Sequence, residues 1–247
     1  MSDPSLPWLE DDQALPPPEW AWGVHSSAPG LLAASATLSA DRVTQAYGQG
    51  TFPWYSPGQP VLWWSPDPRM VLHTQEFRFH RSLQQSLKRQ LNTPGASLCF
   101  DRAFPQVMQQ CASSLRRGQS GTWIVPRMIE VYTELHEQGL AHSAELWQDD
   151  TLLAGLYFVS LGRAVFGESM FTTVRDGSKM ALSLLVSTCL NQGVHMIDCQ
   201  QNTRHLASLG AREIKRASFL DAVAQAQQQP TVNWAQHTLY WDELLNL

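Results

Sequence analysis

Proline limits what the first part of this chain can become. Within residues 1 to 29 stand Pro4, Pro7, the run Pro16-Pro17-Pro18 and Pro29. Each fixes φ and removes a backbone donor, so neither a regular helix nor a central strand can run through the segment. A flexible or surface-draped leader is expected. A short helix should begin at Ser39, with that hydroxyl as N-cap, Asp41 near the positive end and Gly48 or Gly50 as the stop. Beyond it Pro53, Pro57, Pro66 and Pro68 alternate with Phe52, Trp54, Tyr55, Trp63 and Trp64. That texture predicts a rigid, irregular lobe over residues 30 to 75.

From Phe77 the pattern turns regular. Leu83, Leu87 and Leu91 recur at helical spacing, and Phe104, Val107, Cys111 and Leu115 mark a second amphipathic helix with Asp101 near its start. A third helix should run from Pro126, with Met128, Tyr132 and Leu135 inward and Gly139 ending it. The period then shortens. His142 to Gln148, Leu152 to Ser160 and Ala164 to Phe171 read as three strands of an antiparallel meander. A helix from Ser178 to Leu190, a strand from Val194 to Cys199, a short helix around Leu206, a strand near Glu213 to Lys215 and a helix after Ala217 complete the order. This is an α+β fold with a mixed sheet over residues 76 to 247, an order shared with acyl-transferring folds of the acetyltransferase type, although a fold alone assigns no chemistry.

A chain of 247 residues with 43% hydrophobic content can fill a sizeable core. Its apolar stretches, Ala154 to Ser160 and Met180 to Leu190, fall short of the roughly 20 residues that cross a bilayer. Asp3, Glu10, Asp11 and Asp12 give the start the wrong chemistry for a secretory signal, so a cytoplasmic protein without a membrane partner is expected. Cys99, Cys111, Cys189 and Cys199 form no Cys-x-x-Cys pair and read as reduced thiols. The net charge of -5 argues against coating long nucleic acid. It leaves room for a local basic patch, and Arg78, His80, Arg81, Lys88 and Arg89 gather within twelve residues, with Arg116-Arg117 further on. Beside the aromatics these suit a folded RNA with an unpaired end. Taken alone, a solvated helix face is the commoner explanation for such a cluster.

Asp198 and Gln200 are two apart at a strand end, so strand alternation points them together. A carboxylate beside a carboxamide can take a proton from an amine and hold its carrier. The plainer alternative has Asp198 capping the next turn and Gln200 facing water. Cys199 with His205 as base is a cysteine-nucleophile option, weakened because alternation sends Cys199 into the core. His136 and His142 flank Gly139 without a carboxylate at ligand spacing, so no metal is indicated. Glu168 lies inside an apolar strand and should meet a cation, either Lys179, Arg175 or a bound ammonium. Phe166, Glu168 and Met170 should share one face, an apolar pocket with one anionic wall.

Several stretches, taken in order, resemble the bacterial leucyl/phenylalanyl-tRNA-protein transferases. They are Gly30-Leu31-Leu32-Ala33, Ala46-Tyr47, Gly50-Thr51-Phe52-Pro53-Trp54, Leu62-Trp63-Trp64-Ser65-Pro66-Asp67-Pro68-Arg69, Gly121-Thr122-Trp123-Ile124, His142-Ser143, Gly167-Glu168-Ser169-Met170-Phe171, Asp198-Cys199-Gln200 and Ala207-Ser208-Leu209-Gly210-Ala211. The likeness spans about residues 24 to 220. Ser35-Ala36-Thr37 stands where the family usually has Gly-Gly-Asp, and Thr51 where it usually has isoleucine.

The resemblance implies a small N-terminal domain joined to an acetyltransferase-like domain, and transfer of leucine or phenylalanine from leucyl- or phenylalanyl-tRNA to proteins or peptides with N-terminal Arg or Lys. The product carries a destabilising N-terminus for proteolysis, and no metal or organic cofactor is implied. By resemblance Asp198 orients and polarises Gln200, which contacts the attacking amine, and Glu168 holds the amino group of the esterified amino acid. Leu156, Met170 and Ile197 line the side-chain pocket, and Tyr47, Trp54 and Trp123 pack around the terminal adenosine. Arg78, Arg81, Lys88 and Arg89 meet the acceptor stem through phosphate. An acyl-CoA-dependent N-acetyltransferase is an alternative, but its Gly-rich pyrophosphate loop is missing, since Arg117 to Gly121 has the wrong spacing. A noncatalytic RNA-binding module is the other.

Overall fold

The computed structural model describes residues 3 to 114 and 124 to 247. Leu115 and Trp123 lie outside the described residues, as do Arg116 and Arg117. The leader does not hang free. Strand β1 (Trp8–Leu9) pairs in parallel with β2 (Leu31–Ser35), and β3 (Phe52–Pro53) and β4 (Val61–Trp64) complete a small sheet in the order β1-β2-β4-β3. The prolines confine β1 to two residues on an edge, where a missing donor does least harm. Arg42 straps the leader down by donating to the carbonyls of Glu10 and Asp11 at 2.8 and 2.7 Å. Helix α1 (Ala40–Gly48) lies beside this sheet, and the Ser39 hydroxyl caps it by accepting from Arg42 N. The lobe expected to be irregular therefore contains paired strands.

The second sheet has seven strands: β5 (Arg69–His73), β6 (Ala96–Phe100), β7 (Ala141–Gln148), β8 (Thr151–Leu161), β9 (Ala164–Thr172), β10 (Met196–Gln200) and β11 (Arg212–Ile214). Their order is β11-β5-β10-β9-β8-β7-β6. Only β9 and β10 pair in parallel, and the other neighbours are antiparallel. Because β5 is paired inside this sheet, sheet membership changes near Pro68 rather than after residue 75, and the small sheet draws on both residues 1 to 29 and residues 30 to 75. Strand β6, five residues long with only Leu98 and Phe100 buried, was not expected.

Helices α2 (Arg81–Leu91), α5 (Gly177–Asn191) and α8 (Trp241–Leu245) cover one face of the large sheet. The other face meets α3 (Phe104–Ser113), α4 (Pro126–Glu137), α7 (Arg216–Ala226) and the small domain. Short α6 (Arg204–Ser208) follows β10, and the Thr203 hydroxyl caps it. Helix α5 is apolar nearly all round because it is sandwiched, with Met180 to Cys189 buried throughout. The fold is α+β, with a mixed, mainly antiparallel seven-stranded sheet flanked by helices behind a small N-terminal domain. Among the described residues no helix is long and apolar enough to cross a membrane.

Candidate active site

Two β-bulges shape the site. On β9 the register against β8 steps from Tyr157↔Ser169 to Phe158↔Gly167, which leaves Glu168 as the extra residue. On β10 the register against β5 steps from Asp198↔Val71 to Gln200↔Met70, which leaves Cys199 extra, and Gln200 takes a left-handed φ of 61°. The parallel pairing of β9 with β10 reaches only Phe166 and Asp198. Beyond that point the two strands bring Glu168 and Gln200 face to face: Gln200 Nε2 donates to Glu168 Oε1 at 2.9 Å.

Both residues line a cavity of about 400 Å³ with Phe52, Trp54, Leu72, Leu156, Met170, Leu182, Leu185 and Ile197. The expected Leu156, Met170 and Ile197 are thus together, with Trp54 at the same cavity. Leu72, Leu182 and Leu185 were missed, because a leucine in a buried strand or helix carries no sign that it faces a void. In another cavity, of about 820 Å³, lined by Asp101, His142 and Asn233, the Asp101 carboxylate is taken up by His142 and the Ser143 N–H.

Among the described residues no cation pairs with Glu168. Its Oε1 accepts from the Tyr47 hydroxyl at 2.5 Å and its Oε2 from the Tyr132 hydroxyl at 3.4 Å, and the two hydroxyls lie 2.6 Å apart. Lys179 and Arg175, expected as partners, both turn to Asp176. Burial is the main force on the carboxyl and pushes its pKa from 4.5 up to about 7, while the Tyr47 and Gln200 hydrogen bonds pull it back. The same burial, with Glu168 next, holds both tyrosines well above the usual phenol range.

The bulge also corrects the expected pocket face. Phe166 packs in the core on the small-domain side, and Met170 packs against the opposite core, because one extra residue reverses alternation between them. Tyr47 is moved too: its ring is fully buried and packs 4.9 Å from Phe166, so it offers no stacking face and reaches the site only through its hydroxyl.

Asp198, 1% exposed, is held by a residue that sequence reading did not single out. Arg69 donates from Nε to Asp198 Oδ1 at 2.8 Å and from Nη2 to Oδ2 at 2.6 Å. Asp198 Oδ1 also accepts from the backbone N–H of Gln200 at 2.9 Å. Asp198 therefore touches Gln200 through the main chain and not through its carboxamide. Arg69 could not be assigned from sequence because its partner lies 129 residues away.

Cys199 sits half-buried at the cavity rather than in the core, again because of the bulge. Burial and the neighbouring Asp198 hold its thiol far above the ordinary range, which opposes a nucleophilic role. His205 also lines the cavity, and burial followed by Lys179 lowers its imidazole.

His136 and His142 do meet a carboxylate, one supplied by the β6–α3 turn: Asp101 Oδ2 is 2.7 Å from His142 Nδ1, and Oδ1 is 3.9 Å from His136 Nδ1. His136 Nδ1 points at the Ala141 carbonyl at 2.8 Å and His142 Nε2 at the Gly139 carbonyl at 3.1 Å. These ring nitrogens face oxygen acceptors, joining α4 to the start of β7 through His136 and β7 to the β6–α3 turn through His142. Arg78, Arg81, Lys88 and Arg89 are exposed at or on α2 and do not line the cavity.

The family described as leucyl/phenylalanyl-tRNA protein transferase matches residues 71–224, and the family of its N-terminal domain matches residues 36–67. This chain belongs to the leucyl/phenylalanyl-tRNA protein transferase family. It is therefore a transferase. A leucyl/phenylalanyl-tRNA--protein transferase from Polaromonas sp. (strain JS666 / ATCC BAA-500) is 55% identical over 240 residues, covering 97% of this chain and 94% of its own. One from Albidiferax ferrireducens is 52% identical over 98% of this chain and 95% of its own. One from Burkholderia lata is 53% identical over 93% and 90%.

Proposed function

We propose that this transferase moves leucine or phenylalanine from its tRNA to the free amino group of a protein or peptide beginning with arginine or lysine, in the cytoplasm. The observation that carries the reading is the Glu168–Gln200 hydrogen bond on one wall of a cavity lined mainly by apolar side chains. The aminoacyl ester arrives activated, so the protein's task is to juxtapose ester and amine and to manage one proton. The amine nitrogen attacks the ester carbonyl carbon, a C–N bond forms, and the C–O bond to the terminal ribose breaks. The amine loses a proton and the ribose oxygen leaves as a hydroxyl.

In this reading Glu168 accepts hydrogen bonds from the α-amino group of the esterified residue, and the Gln200 carboxamide contacts the incoming amine. Leu156, Met170 and Ile197 receive the apolar side chain. An apolar pocket distinguishes such side chains only weakly, which suits acceptance of both leucine and phenylalanine. Trp54 packs on the terminal adenosine together with Trp123, which lies outside the described residues. Arg78, Arg81, Lys88 and Arg89 bind acceptor-stem phosphates. The product, with leucine or phenylalanine first, is marked for proteolysis.

The test is transfer of labelled leucine and phenylalanine from charged tRNA to peptides beginning with arginine, lysine or alanine, run beside labelled acetyl-CoA. Transfer to the basic peptides alone is expected. Acetylation instead of aminoacyl transfer would replace the reading.

A further inference from the structure

Arg69 is an arginine with no access to water, at 0% exposed. Its guanidinium lies between the rings of Phe52, 4.7 Å away, and Phe219, 4.4 Å away, while its edge forks onto both oxygens of Asp198. Such a charge is tolerable only when paired and stacked, and the planar fork makes this an arginine site that lysine cannot reproduce. The arrangement has a consequence one residue further on. Asp198 Oδ1, already held by Arg69 Nε, takes the Gln200 N–H, and this is the residue whose backbone is turned into the left-handed region. Both carboxylate oxygens are occupied by donors, so the Asp198 side chain is fixed in place.

We propose that Arg69 is a positioning residue for transfer: clamped between Phe52 and Phe219, it fixes Asp198, which fixes the Gln200 backbone and so sets the Gln200 carboxamide against Glu168. Cys199 is the extra residue that makes this turn possible, and the parallel pairing of β10 with β9 has ended just before it. Between Asp198 and Glu168, the Gln200 main chain is held by the Asp198–Arg69 pair and its side chain by Glu168. Loss of the fork would leave the acceptor of the Gln200 N–H unanchored and let the carboxamide swing away from the cavity wall.

This role rests on the transferase reading, and the experiment separates the two. Single-turnover transfer of phenylalanine from charged tRNA to a peptide beginning with arginine is measured for the wild type, Arg69→Lys, Gln200→Ala and the double variant, with thermal melting of each. Arg69→Lys keeps the charge but loses the fork and the stack. Its transfer rate constant should fall by about 10²-fold, the loss typical of a misplaced reacting group, with tRNA affinity nearly unchanged. In the Gln200→Ala background the same change should have little further effect, because both changes disable one device. A purely structural arginine would lose rate by the same factor in both backgrounds. That result, or a folded Arg69→Lys protein with wild-type rate, overturns the positioning role. If Arg69→Lys does not fold, Phe219→Leu, which removes one stacking ring, takes its place in the cycle with the same two outcomes. No transfer by the wild type would overturn the activity and the positioning role together. Wild-type transfer with an unimpaired clamp variant overturns only the latter.

Discussion

Gln200 Nε2 and Glu168 Oε1 lie 2.9 Å apart although 32 residues separate them in the chain, and each owes its place to a bulge in its own strand. A regular β9 and β10 would keep both side chains in strict alternation. The bulges turn one carboxylate and one carboxamide toward the same void and leave the rest of the sheet to pack normally on both faces.

Glu168 sets a pH dependence. Its carboxyl titrates at about 7, so the anion that can hold an ammonium forms as pH rises through that value. The kcat/KM for transfer should climb across this window in the wild type, and Glu168→Gln should lose that limb. The rise from the peptide's own amine, which titrates near 8, remains in both proteins and is removed by comparing them.

The same group affects stability with a definite sign. Its folded pKa lies above the ordinary 4.5, so the native state binds more protons than the unfolded chain between about 4.5 and 7. Stability contributed by the protonated form is present at low pH and lost as pH rises through 7. Glu168→Gln, an uncharged mimic of that form, should therefore gain on the wild type between pH 5 and pH 8, by up to about 3 kcal/mol. Urea melts at the two pH values measure it, and an unchanged difference would remove the account of a carboxyl raised by burial.

Asp198→Ala should lower transfer strongly and leave tRNA affinity nearly unchanged, because Asp198 is buried under the cavity wall and α2 is a separate surface. It should also destabilise the fold by about 3 to 5 kcal/mol, since the Arg69 guanidinium stays buried without its partner. Denaturation and filter binding on one preparation check both statements.

Gly50 adopts a φ of +73°, and a Cβ there would overlap Leu220 and meet Phe219 at 2.9 Å. Phe219 is one of the two rings against Arg69. Gly50→Ala should therefore reduce stability by about 1 to 2 kcal/mol from backbone strain alone and also slow transfer by displacing that ring. A melting curve and a rate measurement on the same variant test it. Full activity would show that the ring can shift freely.

Replacing Arg81 with glutamine should weaken tRNA binding most at low salt and reduce the slope of log affinity against log salt by about one. Lys88 should matter less, because its ammonium already lies 5.5 Å over the Trp241 ring. Salt titrations of the two variants distinguish a phosphate contact from a solvated face.

Much of the architecture was legible locally. Ser39 as a cap, Leu83 and Leu87 as the inward stripe of α2, and the meander of β7 to β9 followed from capping chemistry and hydrophobic period, which act between residues a few positions apart. The small sheet was not legible, since its strands are short, proline-bounded and stabilised by partners distant in sequence. Where alternation was carried across Gly167-Glu168, it put Phe166 and Met170 on one face, and the bulge puts them on two. Arg69 stood inside a distinctive string, yet nothing local distinguished it from a surface arginine.

The order of residues alone determined the helix and strand periods, the texture change that follows the proline-rich lobe, and the motif strings that mark the family. Only the folded chain decided that Glu168 meets tyrosines and an amide instead of a lysine, and that Asp198 is locked by Arg69. The reason is physical: period and capping are short-range forces, whereas the state of a buried charge depends on which groups tertiary packing brings within a few ångströms, and a single bulge reverses the side a residue faces.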